Sequence, residues 1–322
     1  MRLDIGLVFK RIYLQGIGIA CCLCFFSLQA EFFLTKEPID VVIPAHVKDK
    51  ETLEICIQSL HNYAKNIGKI FVVSAFPLTE KAEWVSEAIF PFSKEDVLVY
   101  LAQEVGLKRE ECLQVLDGRL GWIYQQLLKL YAPLVIPSIS SNVLVVDADV
   151  LFLQPIEFID ERGYPYFAPN KDVLEFPWIV HMKRFLHPLP IPFPSFSGVS
   201  HHMLFQKAFL QELFAFVEKE NGRELWKAML HHVDKNHLAN CFSEYEIYSN
   251  FTCFFLRNQL GVNPSIRDLK WKNLAIVDPT DPLLWEKYRR KGYNYLAMHA
   301  FLREEYLKKG KTLPVKDWED EE

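Results

Sequence analysis

Val143-Leu144-Val145-Val146-Asp147-Ala148-Asp149-Val150-Leu151-Phe152 decides the reading of this chain. It begins as a short, continuously apolar run, the pattern of a strand buried on both faces. Two carboxylates one residue apart then interrupt it. In extended backbone, residues i and i+2 point the same way, so Asp147 and Asp149 can face one ligand. Unpaired carboxylates beside an apolar strand are costly. A divalent cation carrying phosphates would offset that cost. The bland alternative is a strand-end aspartate that caps the next loop.

Working outward, apolar strands and amphipathic helices alternate. Ile39 to Pro44 reads as a strand ended by proline. Glu51 to Tyr63 reads as a helix with Leu53, Cys56, Ile57 and Leu60 on one face. Ile70 to Ser74 is a second buried strand, Trp84 to Ile89 a helix, and Val97 to Tyr100 a third strand. Gly121 to Tyr131 is a helix, and Asn142 to Val146 is the strand that delivers the aspartates. This order predicts an α/β fold: a mostly parallel, Rossmann-like sheet flanked by helices. Ligands of such sheets bind at the carboxyl ends of the strands.

The second half is helix-rich. Phe185 to Phe196 carries Pro188, Pro190, Pro192 and Pro194, which favours an extended loop. Helices follow at Gln206 to Glu218, Arg223 to His232 and Glu244 to Asn258, then a strand from Leu274 to Val277 and a helix from Asp281 to Arg290.

The 322 residues are 50% hydrophobic and 24% charged, which excludes a disordered or low-complexity chain. A net charge of -5 argues against a nucleic-acid binder. Arg2, Lys10 and Arg11 precede an apolar run from Ile12 to Ala30. Residues 1–30 therefore read as a signal peptide or an N-terminal membrane anchor, with the rest outside or in a lumen. Association with the cytoplasmic face of a membrane is the alternative. Residues 37–304 are expected to form a single domain, and 305–322 a charged tail. Cys21, Cys22 and Cys24 fall in the apolar run. Cys56, Cys112, Cys241 and Cys253 are widely spaced with no Cys-x-x-Cys, so no zinc cluster is expected.

The Asp147-Ala148-Asp149 motif at the end of a strand resembles the metal site of nucleotide-sugar glycosyltransferases of the GT-A fold. Together with Gly121 to Leu130 and Ser243-Glu244-Tyr245-Glu246, it resembles the DUF6492 family of predicted glycosyltransferases over residues 38 to 300. The resemblance implies a nucleotide-diphosphate sugar as donor and Mn²⁺ or Mg²⁺ as cofactor. The acceptor would be a glycan, a lipid or a protein. Asp147, Asp149 and the late His299 are then the expected metal ligands.

The remaining candidates combine the resemblance with their own residue-level readings. In the resembling fold the loop after the first strand holds the nucleoside, which makes Lys48 and Asp49 expected contacts; Asp49 can equally cap the next helix. Arg119 precedes the Gly121 helix, and Trp122, Gln125 or Gln126, and Lys129 share one helical face. Arg119, Gln125 and Lys129 are expected to position a sugar diphosphate, the alternative being a solvated face. In resembling enzymes the stretch Ser197 to His202 lines the sugar pocket, where Gly198 would permit close approach. Of the pair His201-His202 only one can reach the site, and His202 is taken as that one. Ser243-x-x-Glu246 is a capping box, which occupies Glu246 and leaves Glu244 as the general base.

Two other readings compete. A haloacid-dehalogenase-type phosphatase would use Asp147 as nucleophile, but its nucleophile normally lies on the first strand of the domain. A non-catalytic sugar-binding protein would hold a ligand without turnover.

Overall fold

The computed structural model describes residues 37–170, 175–190, 197–274 and 281–299. The expected signal or anchor segment and the charged tail lie outside them. So do Ile191 to Phe196 of the proline-rich stretch and most of the expected strand after Leu274. Among the described residues, no helix is long and apolar enough to cross a membrane.

The strands are β1 (Ile39–Pro44), β2 (Ile67–Ser74), β3 (Glu83–Ser86), β4 (Asn142–Val146), β5 (Val150–Phe152), β6 (Tyr166–Phe167), β7 (His202–Gln206), β8 (Ser265–Ile266), β9 (Trp271–Leu274) and β10 (Tyr295–Met298). The helices, numbered separately, are α1 (Lys50–Tyr63), α2 (Lys94–Val105), α3 (Arg109–Leu116), α4 (Leu120–Val135), α5 (Phe176–Phe185), α6 (Lys207–Asn221), α7 (Leu225–His231), α8 (Glu244–Asn258) and α9 (Pro282–Arg290).

The main sheet has the order β3-β2-β1-β4-β7. Its first three pairings are parallel, and β7 runs antiparallel to β4. The order of the first four strands is that of the nucleotide-binding half of a doubly wound sheet. Alternation along the strands divides the core. Val42, Phe71, Val73, Val143, Val145, Met203 and Phe205 face the layer built by α2, α4, α6 and α8. Val41, Ile43, Ile70, Val72, Leu144, Val146 and Leu204 face α1 and β5. This is why the strands read as unbroken apolar runs: both faces are covered.

A second sheet, β5-β10-β9, begins where the first gives out. The chain leaves the main sheet at Val146 and enters the second at Val150, which pairs with Ala297 of β10. Asp147, Ala148 and Asp149 are the link between the two sheets. They therefore sit at the carboxyl end of β4.

Two expected elements differ. Trp84 to Ile89 is an edge strand and a single 3₁₀ turn, not a helix. Trp84 is exposed and Val85 buried, the alternation of an edge strand beside β2. The Ser86 side chain then caps the turn Glu87–Ile89. Val97 to Tyr100 is not a strand but part of α2. Ser93 and Asp96 form a reciprocal capping box ahead of it, and Gly106, with φ of 71°, ends the helix in the left-handed region. Val97, Leu98, Leu101 and Ala102 are the buried stripe. The helix expected at Gly121 runs longer, from Leu120 to Val135. Cys56, Cys112, Cys241 and Cys253 are free and buried, as core packing requires.

Candidate active site

The two aspartates are pinned by their backbones. The Asp147 N–H donates to the His201 carbonyl at 2.9 Å, and the Asp149 carbonyl accepts from the Met298 N–H at 2.8 Å. Their carboxylates keep different company.

Asp147 is surrounded by cationic and polar groups. Lys129, from α4, places its Nζ 2.5 Å from Asp147 Oδ1 and 2.6 Å from Glu244 Oε1. His201 Nδ1 lies 3.1 Å from Asp147 Oδ2. The Tyr245 hydroxyl donates to Asp147 Oδ1 at 3.5 Å, and its ring lies 4.5 Å from the Lys129 ammonium. Burial alone would raise the Asp147 carboxyl, but Lys129 and His201 hold it well below the usual carboxylate range. Burial opposes the charge on Lys129, yet the two carboxylates keep it protonated. Glu244 is raised by burial, against the pull of Lys129. Gln126 fixes this corner by accepting the Glu244 N–H at 3.1 Å.

Asp149 is paired on one side only. Its Oδ2 meets His299 Nδ1 at 3.0 Å, while Oδ1 is buried with no hydrogen-bond partner. His299 Nε2 lies 2.9 Å from Asn273 Oδ1. Both ring nitrogens thus face acceptors, which suits the imidazolium. Burial opposes that charge, but Asp149 wins and the His299 pKa is raised.

The other expected residues spread around this centre. Gln125 Nε2 donates to the Pro44 carbonyl at 3.1 Å, which ties α4 to the carboxyl end of β1. Lys48 is exposed in the turn after β1. Asp49 accepts the His46 N–H at 3.1 Å in a reciprocal cap, so its side chain closes the turn before α1 rather than capping α1 itself. Burial raises its pKa, and Asp149 adds to the rise. Arg119 donates to the Ala239 carbonyl at 3.0 Å, and its guanidinium lies 4.2 Å from the Trp122 ring centroid. Lys129 is not on a solvated face: it is 3% exposed and spent on two carboxylates, which leaves it no reach to a phosphate.

His202 is a correction. It belongs to β7, and its ring packs among Phe152, Phe158 and Tyr295 with centroids 5.3, 5.7 and 4.8 Å away. Burial lowers its pKa to about 4. His201 is the member of the pair at the site. Its φ of 58° is left-handed, uncommon for a residue with a Cβ, and the turn swings its ring away from β7. It contacts Trp271 and His299 at 5.0 and 4.9 Å. Strand alternation announced that one histidine would point elsewhere; the left-handed turn left no sequence signal.

The capping box at α8 is half formed. Ser243 accepts the Glu246 N–H at 3.4 Å, but the Glu246 carboxylate does not return to the Ser243 backbone. Instead Asn250 Nδ2 donates to Glu246 Oε2 at 3.3 Å, and Oε1 has no partner. Burial raises the Glu246 pKa, offset in part by Ser197, Gly198 and Asn250. Gly198 abuts α8: a Cβ there would lie 2.3 Å from Ser249 Oγ and 3.1 Å from the Tyr245 carbonyl.

Among the described residues, no group of three or more His, Cys, Asp or Glu is arranged to hold a metal ion. The donor set fits a cation in part. Asp149, with its unpartnered oxygen, and His299 offer an oxygen and a nitrogen ligand. Asp147 does not fit, because Lys129 and His201 occupy both its oxygens. Mg²⁺-type ions commonly take one or two carboxylates and fill the remaining positions with phosphates and water.

A doubly wound α/β protein with an acidic pair at the carboxyl end of its fourth strand is the class so defined. The chain belongs to the family of unknown function DUF6492, whose model matches residues 36–262. The match includes both aspartates, Glu244 and Glu246, and ends before His299. The chain is also similar to mouse xyloside xylosyltransferase 1 in its apo form. That likeness has 13% identity and a TM-score of 0.37, and covers 82% of this chain and 98% of that one. Curated proteins give no match.

Proposed function

We propose that the protein is a metal-dependent glycosyltransferase, moving a sugar from a nucleotide-diphosphate donor to a glycan, lipid or protein acceptor. The observation that carries this reading is the unequal state of the two aspartates. Asp147 is neutralised by the protein itself, while Asp149 keeps a buried, unpartnered oxygen beside an imidazole.

Asp149 and His299 would hold Mn²⁺ or Mg²⁺. The ion would offset the charge that grows on the departing diphosphate. Lys129 removes the repulsion that Asp147 and Glu244 would otherwise exert on an anionic donor. Lys48 and Asp49, at the carboxyl end of β1, would meet the nucleoside, and Gln125 beside them the diphosphate.

The general base is assigned to Glu246 rather than Glu244. Glu244 is locked against Lys129. Burial raises the pKa of both, toward the working range of a base at neutral pH, but Glu246 has no cation against it, and its Oε1 makes no hydrogen bond of good geometry. The apolar segment Ile12 to Ala30 would tether the enzyme to a membrane in a compartment that supplies the donor.

The test is titration calorimetry with UDP, GDP, CMP and dTDP, each with and without Mn²⁺. Metal-dependent binding of one of the four supports the reading. Phosphate release from p-nitrophenyl phosphate without nucleotide binding would favour the phosphatase instead.

A further inference from the structure

The chain enters the described residues at Glu37, at the amino end of β1. A continuous run of hydrogen bonds leads from there across the molecule. The Ile39 N–H donates to the Asn66 carbonyl at 2.8 Å, and beside it the Lys65 N–H donates to the Ile156 carbonyl at 2.9 Å. The Ile156 N–H donates back to the Tyr63 carbonyl at 2.9 Å, and the Tyr63 hydroxyl accepts from Arg289 of α9. Arg289 Nε also donates to the Leu153 carbonyl at 3.2 Å, and the Leu153 N–H to the Asn294 carbonyl at 2.8 Å. The Asn294 N–H donates to the Lys270 carbonyl at 2.7 Å, and Lys270 Nζ to the Lys291 carbonyl at 2.9 Å. These contacts gather the amino ends of β1, β9 and β10 with the end of α9. Asp149 and His299 lie at the opposite end, where β10 finishes and its Met298 N–H meets the Asp149 carbonyl.

The amino end is cationic. Segments 267–272 and 286–291 carry seven Lys or Arg and two acidic residues, in a chain whose net charge is -5. Glu286 answers Arg289 and Arg290, yet the Arg290 side chain stays 78% exposed. Lys65, Lys270 and Lys291 are exposed and make no ion pair among the described residues. Like charges gathered in this way repel one another, and an anionic partner relieves the repulsion. The sequence before Glu37 indicates which partner. The apolar run ends at Ala30, so only residues 31–36 separate it from Glu37. A stretch of that length spans at most about 20 Å. With the run in a bilayer, the cationic end is the part of the domain held beside the headgroups.

We propose that the amino end of the two sheets is the membrane-facing surface of the domain, where Lys65, Lys270, Arg290 and Lys291 meet anionic phospholipid headgroups. The inference rests on the membrane tether in the reading above and not on the transfer chemistry. Each such cation strengthens association with an anionic surface roughly fivefold. Docking in this pose turns the carboxyl ends of the strands, with Asp149 and His299, away from the bilayer.

The experiment is hydrogen exchange read by mass spectrometry on the full chain in phosphatidylcholine vesicles, alone or with about 30% phosphatidylglycerol. Peptides covering residues 63–66, 267–272 and 287–294 are expected to exchange several times more slowly in the anionic vesicles than in the neutral ones. Raising the salt to about 0.5 M should remove that difference, because the headgroup charge is then screened within a few Å. The triple variant Lys65→Gln, Arg290→Gln, Lys291→Gln should remove it too, at about 100-fold weaker surface association. If the triple variant misfolds, judged by circular dichroism, the salt series on the wild type decides. Equal exchange in the two vesicles, or protection at the loops carrying Asp149 and His299 instead, overturns the proposal. Protection as strong from soluble polyphosphate as from anionic vesicles would assign the face to a soluble polyanion and also overturn it. A chain that floats with neither vesicle lacks the tether, and the proposal falls with it. Nucleotide titration is read separately, so the transferase reading stands or falls on its own.

Discussion

The two aspartates of one motif sit two residues apart and live in opposite electrostatic worlds. On the Asp147 side, Lys129, His201, Tyr245 and Glu244 close a buried network in which the charges of both Asp147 and Glu244 are compensated from α4. On the Asp149 side, one imidazole serves one oxygen and the other oxygen is left bare. A fully satisfied network rigidifies, whereas an unpaired buried oxygen is costly. On the proposed reading, residues that the motif alone makes look equivalent would do distinct work: Asp147 in the architecture, Asp149 in binding.

The largest effect is expected on turnover. Glu246→Gln keeps shape and removes basicity, so kcat should fall by roughly 10²–10⁴, the usual contribution of a general base. Nucleotide affinity should hold. Glu244→Gln should stay far closer to wild type, because Lys129 still pairs with Asp147. Steady-state kinetics of the two decide it, and the reverse ranking would place the base on the closed side of the site.

Next comes the network itself. Lys129→Met leaves two buried carboxylates without their cation and should destabilise the fold by about 3–5 kcal/mol. Denaturant unfolding measures it. Adding Glu244→Gln to Lys129→Met should recover part of the loss by removing one orphaned charge; a double variant worse than the single would show that the network is not what Lys129 stabilises. Gly198→Ala forces a Cβ against Ser249 and the Tyr245 carbonyl, for which about 1–3 kcal/mol is expected.

The smallest effect separates the sides by pH. His299 must lose a proton before it binds a metal, and Asp149 raises its pKa. Mn²⁺ affinity should therefore climb with pH until that raised value is passed, by about tenfold per unit below it. Asp147 is ionised throughout this range and should add no slope. A pH-independent affinity would remove His299 from the ligand set.

Much of this architecture is legible in the residues. The strands β1, β2 and β4, the helix α1 and the helical second half follow from periodicity, because burial on two faces or one leaves different patterns. Val97 to Tyr100 misleads because four apolar residues in a row serve a helix and a strand equally. The arbiters were Ser93-x-x-Asp96 before the run and Gly106 after it. Lys129 is the deeper limit. Its helical position gives its face, but its partners Asp147 and Glu244 come from β4 and α8, brought together only by the fold. The same holds for Glu246: a capping-box spacing is necessary for the reciprocal bond, not sufficient, and here Asn250 and the Gly198 loop take the carboxylate elsewhere.

The most direct measurement is calorimetric titration of Asp149→Asn beside the wild type with the nucleotide selected from UDP, GDP, CMP and dTDP. The expected result is one site in the wild type with Mn²⁺, none with EDTA, and loss of most Mn²⁺-dependent binding in a variant whose unfolding curve is unchanged. Binding of equal strength in Asp149→Asn without metal would contradict the assignment of Asp149 as the open half of the site.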